Sequence, residues 1–350
     1  MENYKGNITV DEWVIWSYRI LLSREPENDA VIRAHAKKDF SLKRLRHTLM
    51  GSEEFLALAM PQPSISPEES EMRRLKAEFA FRLPEGCDGF FVDFLGVRTR
   101  CSYLPISYAQ FSGAVEQANG LDAVPLHEAA EVIALLTSVK EATQVLTVLE
   151  LGAGWGPWLV AGAVAARQRG LEARLIGVEG DKAHFSFMRT HMQDNGLDPD
   201  DHRLIWGVVG AEDGTAHFPI LPDPSADWGA KADFLVNCDR LSAEASSFVK
   251  IQSISIRTLV SELDKIDMAH CDIQGAEADA LESSMDALNK KIRRLVIGTH
   301  GRAIEERLIT LFSKHSWILE YEKACTFQQS DTQMVLLNDG VQVWRNVAIP

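Results

Sequence analysis

The sequence predicts an α/β protein, a doubly wound parallel sheet with a small helical domain ahead of it. Three observations predict this. From Thr147 onward, short apolar strands alternate with helical stretches, the pattern of a sheet covered by helices on both faces. The first of those strands, Thr147-Val-Leu-Glu-Leu-Gly-Ala-Gly-Trp-Gly-Pro-Trp158, ends in a glycine turn that opens a helix. Finally, Pro61-Gln-Pro-Ser-Ile-Ser-Pro-Glu-Glu-Ser70 reads as a linker, because its prolines and serines cannot sustain helix or sheet.

A chain of 350 residues exceeds one average domain. Its 46% hydrophobic and 25% charged content is ordinary for a globular protein. The formal charge of −14 argues against nucleic acid as a partner, since phosphate binding is driven by Lys and Arg. Cys87, Cys101, Cys238, Cys271 and Cys325 are scattered without a Cys-x-x-Cys pair, so a reduced, cytoplasmic protein without a zinc cluster is expected. No run of 18 apolar residues is present and the first residues lack a signal-peptide pattern, so neither a membrane span nor export is expected.

Residues 1–60 carry the helical module. Thr9 and Glu12 have capping-box spacing, with Trp13, Trp16 and Ile20 following at helical intervals. Pro26 is placed to open a second helix over 27–38, Ser41 to cap a third, and Ser52 to start a fourth. After the linker 61–70, residues 71–145 should hold a helix (71–82), a hairpin across Leu95-Gly96, and a helix over 126–140 that leads into the sheet. His127 and Glu128 at the start of that last helix are within reach of a ligand, though capping or solvation is the commoner role. The sheet domain then spans 146–350. Its later strands are 174–179, 204–209, 267–272, 294–300, 317–322, 333–338 and 340–344. An irregular stretch, 219–250, has the length of a lid or binding loop.

Chemistry gathers at the strand ends, where open α/β sheets bind ligands. Gly152, Gly154 and Gly156 let a ligand approach bare backbone, Glu150 is placed to order the turn, and Glu179 can accept hydrogen bonds from ribose hydroxyls. A dinucleotide fingerprint needs a glycine at the sixth position, where Pro157 stands. Asp272 closes an apolar strand, a costly place for a carboxylate without water, metal or ligand. Glu277 falls in the first turn of the next helix, where it also complements the helix dipole. His300 ends another strand and is the natural base at neutral pH.

Glu150-x-Gly152-x-Gly154-x-Gly156 resembles the first motif of class I S-adenosylmethionine (AdoMet)-dependent methyltransferases. Asp272-Ile-Gln-Gly-Ala-Glu277, followed by Ile297-Gly-Thr-His300-Gly and Glu305-Glu-Arg-Leu308, resembles the FkbM-type methyltransferases over about residues 145–340. That resemblance implies a Rossmann-like methyltransferase sheet, an AdoMet site, and O-methylation of polyketide or sugar hydroxyls. Tyr18-Arg-Ile-Leu-Leu-Ser-Arg-Glu-Pro26 with Gly51-Ser-Glu-Glu-Phe55 resembles a small bacterial helical module found on glycan-assembly proteins. It implies a glycan context, or a surface for docking or self-association.

The expected reaction is methyl transfer to a hydroxyl, most naturally of a sugar. In it Asp272, His300 and Glu277 are catalytic, and Glu150, Gly152, Gly154, Gly156 and Glu179 hold AdoMet. Asp272 and Glu277 are too few to assign a divalent metal, which stays open. The alternatives are a nicotinamide-dependent oxidoreductase on a similar sheet and a non-catalytic scaffold with a degenerate methyltransferase domain.

Overall fold

The computed structural model describes residues 8–37, 40–52, 54–55, 66–79, 85–116, 127–234, 247–330 and 333–350. The chain divides into two compact units, Met1–Ser66 and Pro67–Pro350.

The first unit contains α1 (Val10–Leu22), α2 (Asp29–His35) and α3 (Leu42–Met50). Thr9 and Glu12 form the expected capping box, Thr9 N–H donating to Glu12 Oε2 at 2.7 Å. Helix α2 starts later than Pro26 suggests. Its cap is Asn28, whose side chain accepts from Ala30 and Val31 N–H. Ser41 precedes α3 but makes no side-chain cap bond. Val14, Tyr18, Leu22, Leu45 and Leu49 form the small core. Most of the helix expected after Ser52, and linker residues 61–65, lie outside the described residues.

The second unit opens with α4 (Pro67–Glu78), so residues 67–70 are helix and not linker. The reason is local: proline suits a first helical turn, and Glu68 and Glu69 complement its dipole. Strands β1 (Phe90–Val92) and β2 (Arg98–Arg100) pair as the expected hairpin, and α5 (Ala129–Glu141) follows. Met72, Leu75, Phe94 and Leu136 from these elements share one core with Leu146 and Val148 of the sheet. The described residues between 71 and 145 therefore pack as part of the sheet domain.

Next come β3 (Val145–Leu151), α6 (Pro157–Gln168), β4 (Glu172–Glu179), α7 (Lys182–Asp194) and β5 (Arg203–Trp206). The strand expected over 204–209 breaks at Gly207. There the chain leaves the main sheet, and β6 (Val208–Gly210) joins β7 (Gly214–Pro219) and β8 (Phe248–Ser255) in a separate three-stranded sheet. The 219–250 stretch is thus the long tip of the β7–β8 hairpin, with its ends in strand and residues 235–246 outside the described ones.

Then follow α8 (Ile256–Leu259), β9 (Ile266–Cys271), α9 (Glu277–Ser283), α10 (Met285–Lys291), β10 (Ile292–Thr299), α11 (Arg302–Phe312) and β11 (Trp317–Lys323). Strands β12 (Thr326–Gln329) and β13 (Met334–Asn338) form their own two-stranded ribbon, and β14 (Gly340–Asn346) returns to the sheet. The seven-stranded sheet has the order β11-β14-β10-β9-β3-β4-β5, with β14 alone antiparallel to its neighbours. Strands β4 and β5 run outward from β3 on one side, and β10 lies outside β9 on the other. The boundary between β3 and β9 is the topological switch point, beyond whose carboxyl ends a ligand crevice opens. Among the described residues, no helix is long and apolar enough to cross a membrane.

Candidate active site

The glycine turn sits at the switch point. Gly152, Gly154 and Gly156 have φ of 74°, 55° and 72°, the left-handed region that favours glycine. At Gly152 space matters as much as conformation: a Cβ there would stand 1.9 Å from the Asp272 carbonyl oxygen. Asp272 N–H donates to Leu151 O at 2.9 Å, so the ends of β3 and β9 are stitched together at this point.

Glu150 reaches from the buried end of β3 to the start of α6. Its two oxygens accept from Trp158 N–H at 3.4 Å and Leu159 N–H at 3.0 Å. Pro157, at the first helical position, has no N–H to offer. The donors that would cradle a phosphate are therefore already taken, which disfavours a dinucleotide. Burial pushes the Glu150 carboxyl up to about 8, against the pull of His270 and the two N–H groups.

Glu179, at the end of β4, accepts Gly154 N–H at 2.8 Å through one oxygen and Asp181 N–H at 2.6 Å through the other. Burial raises its pKa, opposed by His184 and these N–H groups. Each oxygen keeps a lone pair for a ligand hydroxyl. Val208, Val209 and Phe218 line the neighbouring wall of a cavity of about 1030 Å³. Trp228, on the long hairpin tip, stacks on His184 at 3.9 Å and meets Trp155 edge-on. His184 Nε2 is also 2.7 Å from the Pro224 carbonyl oxygen, fixing the tip beside Gly154. The described part of the tip thus lies beside the glycine turn, and its Lys231 comes near Gly275 in the turn after β9.

Across the switch point lie Asp272, Glu277 and His300. The turn after β9 wraps the Glu277 carboxylate, whose Oε1 accepts Ile273 N–H at 3.1 Å and Gly275 N–H at 2.9 Å. His300 Nδ1 is 2.9 Å from the same oxygen. An oxygen already accepting two N–H bonds takes a third contact as acceptor, which puts the proton on Nδ1. His300 Nε2 then faces Asp272 Oδ1 at 3.3 Å. Burial lowers the His300 pKa, but the Glu277 hydrogen bond and the Asp272 charge outweigh it and the net shift is upward. Asp272, set deep and open toward the cavity, is raised by burial and held back by His300 and His270.

Several cavity residues escape sequence reasoning. His270 Nε2–H donates to Glu131 Oε1 at 2.9 Å in a buried pair beside Glu150. Burial opposes both charges, yet the pairing prevails, lowering the Glu131 pKa and raising that of His270. The available signal was a histidine two positions before Asp272 in an otherwise apolar strand. Asp339 and Trp228 also line the cavity, from a ribbon end and a loop that carry no motif. His127 and Glu128 line it as well, and Glu128 caps α5.

A doubly wound sheet with one reversed strand, a glycine turn after β3 and a cavity at the switch point defines the class I, AdoMet-dependent methyltransferase fold. In sequence, the chain is 34% identical over 286 residues to a protein of Jannaschia sp. (strain CCS1) named "Putative methyltransferase", spanning 80% of this chain and 99% of that one. The chain belongs to this methyltransferase family. No protein-family model matches it. Two solved structures overlap it in part. The C-terminal domain of precorrin-6Y C5,15-methyltransferase from Rhodobacter capsulatus is 11% identical, with 63% of this chain and 90% of that one covered at a TM-score of 0.34. M. capricolum TrmK in complex with S-adenosyl-homocysteine is 12% identical, with 61% and 67% covered at a TM-score of 0.33.

Proposed function

We propose that the chain is an AdoMet-dependent O-methyltransferase of the FkbM type, acting on a sugar hydroxyl in glycan or secondary-metabolite assembly. The observation that carries this reading is a single cavity bounded on one side by the glycine turn and Glu179 and on the other by Asp272, Glu277 and His300. The first side suits AdoMet. Glu179 offers acceptors for ribose hydroxyls beside the apolar wall of Val208, Val209 and Phe218, and the occupied N–H groups of α6 suit a cofactor without phosphates. AdoMet, once bound, supplies a methyl group on a positively charged sulfonium. Asp272 orients the acceptor hydroxyl, and His300 Nε2 takes its proton while Glu277 holds Nδ1–H.

The lining supports a neutral acceptor. Glu128, Glu131, Glu179, Asp272 and Asp339 face the cavity, and among the described lining residues Lys231 is the single Lys or Arg. A phosphorylated acceptor would meet repulsion at this surface, whereas an uncharged polyol finds hydrogen-bond acceptors. Family membership favours neither the oxidoreductase nor the scaffold alternative. The N-terminal unit is proposed as a docking module, with the enzyme working in the cytoplasm.

Incubating the purified chain with methyl-labelled AdoMet and a panel of neutral glycosides and polyketide alcohols tests the reading. Label should appear on an acceptor oxygen, and calorimetry should show binding of AdoMet but not of NADH or NADPH. A folded protein that does not bind AdoMet defeats it.

A further inference from the structure

The three groups beyond β9 and β10 pose a problem that the protein alone does not solve. His300 Nδ1–H is committed to Glu277, so Nε2 presents its lone pair to the cavity. Its side chain is 3% exposed, yet Nε2 has no hydrogen-bond partner. Two carboxylate oxygens face it, Asp272 Oδ1 at 3.3 Å and Asp339 Oδ1 at 3.9 Å. A buried Nε2 turned toward two carboxylates calls for positive charge between them, supplied by a proton or, at neutral imidazole, by a metal ion.

We propose that Asp272, His300 and Asp339 bind a divalent transition-metal ion, with Glu277 orienting the imidazole. Neighbouring ligand atoms on an octahedral ion with bonds of about 2.1 Å stand roughly 3 Å apart; Asp272 Oδ1 is close to that spacing from Nε2, and the exposed Asp339 side chain must swing inward from 3.9 Å to complete the set. One imidazole with two carboxylates suits ions of the Mn²⁺ or Fe²⁺ type better than Mg²⁺ or Ca²⁺, which prefer all-oxygen sets. Glu277 fills the role of the carboxylate that fixes a ligating histidine through its other nitrogen. The left-handed turn at Gln274, φ 55°, carries that side chain to 3.1 Å from Asp272 Oδ1, where it orients the carboxylate. Asp272 and His300 belong, with the Glu277 that orients the imidazole, to a cluster whose polar atoms all lie within 4.8 Å of one another.

Binding rests on the cluster alone; its consequence rests on the methyl-transfer reading. With an ion on Nε2, the imidazole holds the ion in place of taking the proton itself, so the direct-base role given to His300 above applies only to the ion-free site. The ion lowers the pKa of a bound acceptor hydroxyl, and the proton leaves to water or a carboxylate oxygen.

The test is titration of the full-length protein with Mn²⁺ alone, following loss of the free-ion electron paramagnetic resonance signal, without AdoMet or acceptor. One Mn²⁺ per chain is expected, with affinity falling at least tenfold in Asp339→Ala and in Glu277→Gln. Asp339 is 56% exposed at its side chain, so its replacement should leave folding intact, which thermal melting verifies. No saturable binding at millimolar Mn²⁺, or binding unchanged by Asp339→Ala, overturns the site. AdoMet affinity of the same preparations separates the two claims. Mn²⁺ binding without AdoMet binding removes the methyl-transfer reading alone, and EDTA-insensitive transfer without Mn²⁺ binding removes the metal alone.

Discussion

The two sides of the cavity are built on opposite principles. On the β3–β4 side every carboxyl is used by the backbone: Glu150 accepts two N–H groups of α6, and Glu179 accepts Gly154 and Asp181 N–H. On the β9–β10 side, His300 Nε2 and Glu277 Oε2 are buried without hydrogen-bond partners. The first side is held in place by the backbone before a ligand arrives, with lone pairs of Glu179 left over for it. The second holds unmet bonding capacity, which is where reactivity resides. Binding and chemistry should therefore separate cleanly by mutation.

The largest effect should come where the two sides touch. In Gly152→Val the new side chain cannot coexist with the Asp272 carbonyl, because even a Cβ would lie 1.9 Å from it. AdoMet binding, read by calorimetry, should be lost together with turnover; retention of both would mean that the two strand ends are not held as described. Next come His300→Ala and Asp272→Asn. Each should lower methyl transfer by about two orders of magnitude or more while AdoMet affinity barely moves. Loss of affinity equal to loss of rate would erase the distinction between the sides.

A comparable effect of pH on stability is expected on the first side. His191 bridges Thr99 and the Trp155 carbonyl of the glycine turn, and burial pulls its pKa down to about 4. The unfolded chain takes up this proton near pH 6.5 and the folded one only near pH 4, so stability is complete above 6.5 and declines as pH falls between them. The contribution at stake is about 3 kcal/mol. Urea midpoints at pH 7.5 and 4.5 should converge in His191→Gln relative to the parent. Smaller still, Glu179→Ala should weaken AdoMet about tenfold through lost charged hydrogen bonds; unchanged calorimetric affinity in a folded variant removes the ribose assignment. The smallest effect belongs to the helical module. A chain starting at Pro67 should bind AdoMet as the full protein does, since Pro67–Pro350 is compact by itself. If it unfolds, the division at that point is wrong.

What the sequence made legible is what lies close together along it. Strand, glycine turn and helix from Val145 to Gln168 follow from apolar runs and φ requirements within a few residues. Asp272, Glu277 and His300 could be named because each closes a strand or opens a helix. Their convergence on one imidazole depends on neighbouring parallel strands, which local pattern does not encode. Asp339 was invisible for the same reason: it approaches His300 only because β14 turns back antiparallel against β10. Glu131 and His270 are 139 residues apart and meet only once α5 lies on the sheet. Gly207 misled in the other direction, since an unbroken apolar run hid a strand that changes sheets there.

The cap that Glu150 places on α6 also bears on which small molecules can compete for the cavity. ATP and other adenine nucleotides share adenosine with AdoMet, and an open helix N-terminus would reward their phosphates. Here Trp158 and Leu159 N–H are spent on a side chain of the protein itself. A nucleotide entering adenosine-first gains nothing for its phosphates and meets the carboxylates of the lining. Weak inhibition by abundant nucleotides is thus the expected consequence of one buried glutamate.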